Sequence, residues 1–445
     1  MNDIISAIST ANGTGGVAII RMSGEGVLNV LEKMFSPLSK NIKIQDFEPY
    51  KLYVGEILCD GFTDFGMAVY FKAPKSYTGE DMVEIHCHGG IAISQGVLKK
   101  TLSLGCLPAT RGEFTKRAFL NGKLSLDSCE GLIDMINGES IASVKAGYSL
   151  YREDLFRKVN KMQDDITYAL AKIGADIDYP EEDLEAVALD TVNSMLFETK
   201  QTVEKLISGY SKGAKVKNGV KVAIVGKPNT GKSSLLNNLL NYEKAIVSSI
   251  EGTTRDVVEG SIEINGVKFD FYDTAGIRVS SDEIERKGIE RSQKILKESD
   301  ICLMVFDGAK DRTDEDNEIF KAVQEYNYIK VYNKKDIYNG IKDGVEISAK
   351  TGDGIEELKA ELYKKAFDGG IDNNAELITE ERHLKALEKA LKGINSSIDG
   401  INNCVPLDLV AEDIKYVWDS LGEITGKTAS EEIIDEIFKK FCVGK

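Results

Sequence analysis

Between residues 220 and about 367, short apolar runs alternate with segments whose apolar positions recur every three or four residues. KVAIVG, VKFDFYD, ICLMVFD, IKVYNK and GVEIS are strand-sized, whereas KSSLLNNLL, DEIERKGIERSQKILKE, NEIFKAVQEY and GIEELKAELYKKAF carry the helical period. Such alternation predicts a mainly parallel sheet with helices on both faces, because parallel neighbours need a crossover long enough to be a helix. Upstream, residues 1–118 mix short β-rich runs such as GGVAIIRMS and FGMAVYFKAP with helical stretches such as GGIAISQGVLKKTLSLG, which predicts a mixed α/β domain. The helical period dominates residues 119–212 and returns over 371–445. SGYSKGAKVKNG, 208–219, lacks apolar periodicity, is rich in Gly and Lys, and reads as a linker.

The economical arrangement is an N-terminal α/β domain at 1–118 and a helical domain in two parts, 119–212 and 371–445, with a nucleotide-binding domain inserted at 213–370. Each helical part alone offers little to pack against. The fold class expected is therefore multidomain, α/β plus all-α.

At 445 residues the chain is long enough for about three domains. Its net charge of -16, from 56 basic and 72 acidic residues, opposes broad non-specific nucleic-acid binding. A nucleic-acid substrate then needs a local basic patch or a partner that supplies one. No apolar run is long enough for a membrane span, the N-terminus lacks the features of a signal peptide, and the seven cysteines form no CxxC pair. A reducing, cytoplasmic setting without a membrane is expected.

Gly226–Ser233, GKPNTGKS, matches G-x-x-x-x-G-K-[ST] between an expected strand and an expected helix. Backbone N–H groups around Thr230 and Gly231 suit phosphate oxygens, Lys232 their charge, and Ser233 a Mg²⁺ ion, with Ser234 next in the helix. Asp273, Thr274, Ala275 and Gly276 spell DTAG after the strand FDFY, where the aspartate suits Mg²⁺ and the Gly276 amide the γ-phosphate. NKKD, with Asn333, Lys334 and Asp336, suits guanine, whose ring N–H and exocyclic amine an aspartate accepts and which adenine lacks. SAK, Ser348, Ala349 and Lys350, can close over the base. Four motifs in this order predict GTP as the nucleotide. The residue after DTAG is Ile277, which has no hydrogen-bonding group to orient the attacking water.

These motifs are joined by GTTRD (Gly252–Asp256), DTAGIR, FKAPKSYTGEDMVEIHCHGG, RGEFTKRAFLNGKLSLDSCEGLIDMI and the terminal FCVGK. Together they resemble the tRNA-modification GTPases of the MnmE (TrmE) family over essentially the whole length. Val443 stands where the family usually has isoleucine and Ser248 where threonine is common; neither change removes a needed hydrogen-bonding group.

The resemblance implies a Ras-like P-loop GTPase domain, a folate-binding-type N-terminal domain that also dimerises, and a potassium ion beside the phosphates. Asn229 and the loop Ser248, Ser249, Ile250, Glu251, Gly252, Thr253 would contact nucleotide and ion, with Asn229, Ser248, Ile250 and Thr253 supplying potassium ligands. Thr254 would join Ser233 on Mg²⁺. Glu285 maps to the acid that positions water through a second water; read from its residues alone it is one more exposed charge on a helix. Arg255 and Arg278 are rival sources of positive charge, or surface salt bridges.

In the N-terminal domain, Arg21, Glu84 and Lys123, with Lys445 from the helical part, match positions that contact 5,10-methylenetetrahydrofolate or 5-formyltetrahydrofolate. Cations suit its carboxylates and a carboxylate its pterin edge. His86 and His88 share a strand face and permit metal ligation, yet no second Cys/His cluster in the sequence completes a shell, so a structural role beside Gly89 and Gly90 is the plainer expectation. Cys442 reads as buried at the end of an amphipathic helix with Thr428 and Glu431 at capping-box spacing, or as a positioning group near the folate site.

The implied activity is installation of an aminomethyl-type (carboxymethylaminomethyl) group on the wobble uridine of certain tRNAs. It would be carried out by a homodimer in a heterotetrameric complex with the FAD-dependent MnmG (GidA) flavoprotein. A ribosome-assembly GTPase, or a GTP-binding module without turnover, would share the nucleotide motifs but not the folate residues.

Overall fold

The computed structural model describes residues 3–178, 185–242, 258–273, 293–368, 370 and 377–445. The chain forms two compact units. One comprises Met1–Ile133, Leu150–Leu196 and Lys392–Lys445; the other comprises Asp134–Ser149 and Phe197–Leu391.

In the first unit, strands β1 (Ile5–Ile8), β2 (Val17–Ser23), β3 (Phe35–Pro37), β4 (Leu52–Cys59), β5 (Phe62–Phe71), β6 (Met82–His88) and β7 (Leu107–Pro108) make one sheet in the order β3-β4-β5-β6-β2-β1-β7. Helices α1 (Val27–Glu32) and α2 (Ile91–Ser103) supply Val27, Leu31 and Val97 to a core with Ile20, Met22, Ile57, Val83 and Ile85. Strand side chains alternate between faces, so the opposite face carries Arg21, Glu84 and His86. There Phe114 of α3 (Glu113–Leu120) packs with Ile5 and Ala7.

The chain continues through α4 (Leu126–Asn137), α5 (Ile141–Tyr151), α6 (Asp154–Asp178) and α7 (Glu185–Asn218). The second unit's sheet then follows: β8 (Val220–Val225), β9 (Gly260–Ile264), β10 (Val267–Asp273), β11 (Ile301–Asp307), β12 (Tyr328–Asn333) and β13 (Val345–Glu346), interleaved with α8 (Lys232–Tyr242), α9 (Asp314–Val323) and α10 (Ile355–Ala366). Its order is β13-β12-β11-β8-β10-β9, parallel except for the β9–β10 hairpin, as the alternation predicts. Helices α11 (Glu381–Asn402), α12 (Leu407–Thr425) and α13 (Glu431–Lys439) complete the chain. Among the described residues no helix is long and apolar enough to cross a membrane.

Three local expectations need correction. The stretch read as a linker continues α7 to Asn218: Val216 is buried in the core, and Gly213 lets the helix approach so closely that a Cβ there would overlap the Ile378 carbonyl. Its glycines and lysines serve packing and pairing, not flexibility. The N-cap of α13 is Ser430, whose hydroxyl accepts from the Ile433 amide, while Thr428 donates to the Asp419 carbonyl. Cys442 is exposed, because the helix ends before it and the tail turns away from the cluster formed by Leu126, Cys129, Ile437, Phe438 and Phe441.

Within the second unit, Lys217 pairs with Asp134 at 2.7 Å and with Glu380. Burial, then the Glu380 charge, pushes the Asp134 carboxyl up to about 7, against the opposing pull of Lys217. A carboxyl raised above its unfolded value holds a proton in the folded state that the unfolded chain has released. Its contribution to stability is therefore full below the ordinary carboxylate range and declines as pH rises toward 7. Between about pH 5 and about pH 8, the parent's melting temperature should fall by about 2 °C or more beyond the fall in Asp134→Asn. Parallel pH profiles of the two proteins in differential scanning calorimetry would refute this.

Candidate nucleotide and one-carbon sites

The phosphate loop lies between β8 and α8, where the amides that open a helix face an anion without intrahelical partners. Lys232 Nζ bridges the carbonyls of Gly226 (2.8 Å) and Lys227 (3.0 Å), which places the ammonium across the mouth of the loop. Burial holds this lysine below its ordinary range, and the charge of Asp273 at the end of β10 opposes the shift. A polyphosphate would restore what burial removes. Ser233 and Ser234 follow in the first turn of α8. Asn229 adopts a left-handed backbone, φ 63°, which Asn tolerates better than most residues.

One buried side chain ties three motifs together. Asn333 Oδ1 accepts from the amides of Lys334 (2.7 Å) and Ala349 (2.9 Å), while its Nδ2 donates to the Thr230 carbonyl (2.8 Å). Gly231 makes this possible: at φ 94°, any Cβ would strike Asn333 Nδ2. Ser348 Oγ donates to Asp336 Oδ1 at 2.7 Å, orienting an exposed carboxylate whose remaining lone pairs are available to a base edge. Lys350 is exposed beside it in sequence. Lys334 Nζ reaches Asp307 Oδ2 at 2.7 Å.

A cavity of about 560 Å³ adjoins the loop, bordered by Asn229, Thr230, Lys334 and Lys227. Asp307, Thr313 and Asp316 also belong to this neighbourhood, and the sequence motifs do not include them. The signal that could have found the last two is the T-x-x-D capping spacing after β11.

Thus Gly226–Ser234, Asp273, Asn333–Asp336 and Ser348–Lys350 occupy loops at the carboxyl ends of neighbouring strands, where ligands bind in open α/β sheets. Ser248, Ser249, Ile250, Glu251, Gly252, Thr253, Thr254 and Arg255 lie outside the described residues, as do Thr274, Ala275, Gly276, Ile277, Arg278 and Glu285.

In the N-terminal sheet, Arg21 of β2 and Glu84 of β6 are register partners, and their side chains pair at 2.8 and 2.9 Å. The Arg21 guanidinium lies over the Tyr77 and Phe114 rings, 5.3 and 5.6 Å from their centroids. Burial raises the Glu84 carboxyl, yet the His86 imidazole 3.6 Å away and the Arg21 charge outweigh it and hold Glu84 below the usual range. His88 Nδ1 meets Asp64 Oδ1 at 2.6 Å, and Cys87 is buried, so each of the three residues of HCH has a partner or a packing role. Lys123 Nζ donates to the Pro74 carbonyl at 3.1 Å.

The terminal segment is brought to this domain. Ser9 Oγ donates to the Gly444 carbonyl, Val443 bridges to Arg111, and the Gly112 amide donates to Cys442. Because Ser9 also donates to Ile19, two residues from Arg21 on β2, Lys445 ends near the strand that carries Arg21. Arg21 and Glu84 form one charged pair of low exposure, backed by the Tyr77 and Phe114 rings.

Comparison with known families places residues 126–442 in the MnmE helical domain and residues 4–123 in the GTP-binding protein TrmE N-terminus. Among curated proteins, the tRNA modification GTPase MnmE of Clostridioides difficile strain 630 is 38% identical, covering 100% of both chains. The protein of the same name from Thermoanaerobacter pseudethanolicus is 38% identical over 100% of this chain and 99% of its own. Among solved structures, Aquifex aeolicus Era bound to GDP and AlF4⁻ is similar over 39% of this chain and 66% of that one, at 31% identity and a TM-score of 0.28.

Proposed function

The chain belongs to the tRNA modification GTPase MnmE family, and from that premise we propose that its GTP cycle is potassium-stimulated and drives a one-carbon modification of tRNA. It is a GTPase that acts in tRNA modification. In the fuller reading it works in the cytoplasm with an FAD-dependent flavoprotein of the MnmG type, as a homodimer in a heterotetramer. Together they install an aminomethyl-type (carboxymethylaminomethyl) group at carbon 5 of the wobble uridine, with 5,10-methylenetetrahydrofolate supplying the carbon.

The observation that carries the nucleotide part is the Asn333 lattice, which joins the phosphate loop to both base-reading loops and leaves Asp336 aimed outward. Ser233 and Asp273 would hold Mg²⁺, with Thr254, and Asn229 would offer its carboxamide oxygen to potassium, with Ser248, Ile250 and Thr253. A monovalent cation at the phosphates supplies charge stabilisation where no arginine finger is assigned. The pair Arg21 and Glu84, with Lys123 and Lys445, would bind the folate.

Dimerisation has support in the outward side of β4, where Leu52, Val54 and Leu58 are exposed around Glu56, which lies opposite Phe65 of β5, a largely apolar face that a second copy would cover. Net negative charge fits a division of labour in which the flavoprotein supplies much of the tRNA-binding surface.

Exchange of potassium for sodium at constant ionic strength should slow phosphate release on the order of tenfold or more. Asn229→Gly keeps the left-handed backbone and removes the carboxamide, so it should lose most of the stimulation while GDP affinity stays within about threefold. Equal rates in the two salts would sink the potassium reading.

A further inference from the structure

Lys227, the second residue of the phosphate loop, reaches away from the phosphates. Its ammonium donates to Thr313 Oγ1 at 2.6 Å and pairs with Asp316 Oδ2 at 2.8 Å, 89 residues along the chain. Asp316 is already engaged as the capping residue of α9: it accepts from the Thr313 amide (2.9 Å) and hydroxyl (3.0 Å), and the Thr313 hydroxyl accepts from the Asp316 amide in return. The helix cap is complete without a lysine. We infer that Lys227 and Asp316 form an ionic clamp that positions the phosphate loop for GTP hydrolysis, Lys227 being a positioning residue and not a catalytic one.

The argument runs through the backbone. The Lys227 carbonyl accepts from both Lys232 Nζ (3.0 Å) and Thr230 Oγ1 (2.9 Å), so the setting of this peptide, with the Gly226 carbonyl, fixes where the ammonium of Lys232 rests. Pro228 follows with a nearly fixed φ, and Asn229 is left-handed, so little slack separates the clamp from Asn229. Thr230 is held in turn by Asn333. A loop fixed at Lys227 and Thr230 presents Asn229 at a set position along the cavity and offers the Lys227 carbonyl to Lys232.

The pair is suited to that duty, since its side chains are only 19% and 7% exposed and the contact is charge-assisted. Burial raises the Asp316 carboxyl, but Lys227 and the Thr313 donors more than offset it and hold Asp316 below the ordinary range, so the carboxylate stays charged at neutral pH. Removing either partner strands a charge of low exposure, which the loop can relieve only by moving. The inference rests on hydrolysis at this loop and not on the identity of the monovalent ion; turnover by the parent protein tests that reading separately.

The experiment measures kcat for GTP and the dissociation constant for GDP in full-length Lys227→Met, Lys227→Arg, Asp316→Asn and the Lys227→Met/Asp316→Asn double variant. Lys227→Met and Asp316→Asn should each lower kcat about tenfold with GDP affinity within about threefold, and Lys227→Arg should recover to within about threefold of the parent. The double variant should be no slower than the slower single, as for two halves of one contact. Asp316→Asn keeps an acceptor for the Thr313 amide and gives the same reading should Lys227→Met not fold. A kcat within about twofold of the parent in both single variants, a loss matched by an equal loss of GDP affinity, or single losses that multiply in the double variant would each overturn the clamp.

Discussion

Asp336→Asn is expected to reverse the nucleotide preference, changing the ratio of GTP to xanthosine triphosphate affinity on the order of 10³-fold. The expectation follows from how Asp336 is held. Ser348 Oγ donates to Oδ1, so in the variant the amide oxygen keeps that place and the NH₂ group turns to the base. It then faces the exocyclic amine and ring N–H of guanine, donor against donor. Xanthine presents an oxygen where guanine has the amine, and the amide donates to it. Competition titrations with both triphosphates, over variants that retain the Ser348 hydroxyl, read the ratio directly. An unchanged ratio would mean that Asp336 does not read the base, and the guanine assignment would then have to rest on other groups.

The other large effect concerns turnover. Glu285→Ala is expected to slow GTP hydrolysis on the order of 10²-fold or more with nucleotide affinity nearly unchanged, because an orienting group acts in the transition state and not in binding. Ile277→Ala, which removes no hydrogen-bonding group, should cost less. If the cycle drives the modification, the Glu285 variant should also fail to restore wobble-uridine modification in cells, although the folate and the flavoprotein still bind. Single-turnover phosphate release and mass analysis of tRNA nucleosides, taken together, separate the cases. Normal hydrolysis would strip Glu285 of the water-positioning role, and slow hydrolysis with full modification would uncouple the two activities.

What could be read in advance divides by range. The phosphate loop and the NKKD and SAK segments were legible because their chemistry is local: a few backbone amides and one side chain at fixed spacing suffice, and strand–helix alternation supplies the context. The second sheet followed from the same alternation. Asn333 was marked as part of a motif, yet its role as a tie to Thr230 and Ala349 was not, since nothing in its neighbours' identity reports a contact 103 residues away. Lys227 with Asp316, and Asp134 with Lys217 and Glu380, stayed hidden for the same reason. From sequence Arg21 and Glu84 read as separate charges; register across β2 and β6 makes them partners of each other. The misreading of 208–219 was compositional. Glycine at Gly213 signals close approach as readily as flexibility, and only the neighbouring chain at Ile378 decides between them.

Within the second unit, the contacts of Lys217 bear on how such a chain could be assembled or taken apart. Lys217, just before the sheet, touches Glu380, which follows its last helix, and Gly213 abuts Ile378. A segment whose two ends already touch imposes little loop-closure cost on the chain that carries it, however many residues lie between them. The same juncture is therefore the natural cut for exchange: the flanking chain could be resealed across it with a short bridge, and the excised segment circularised or permuted with its own ends already side by side.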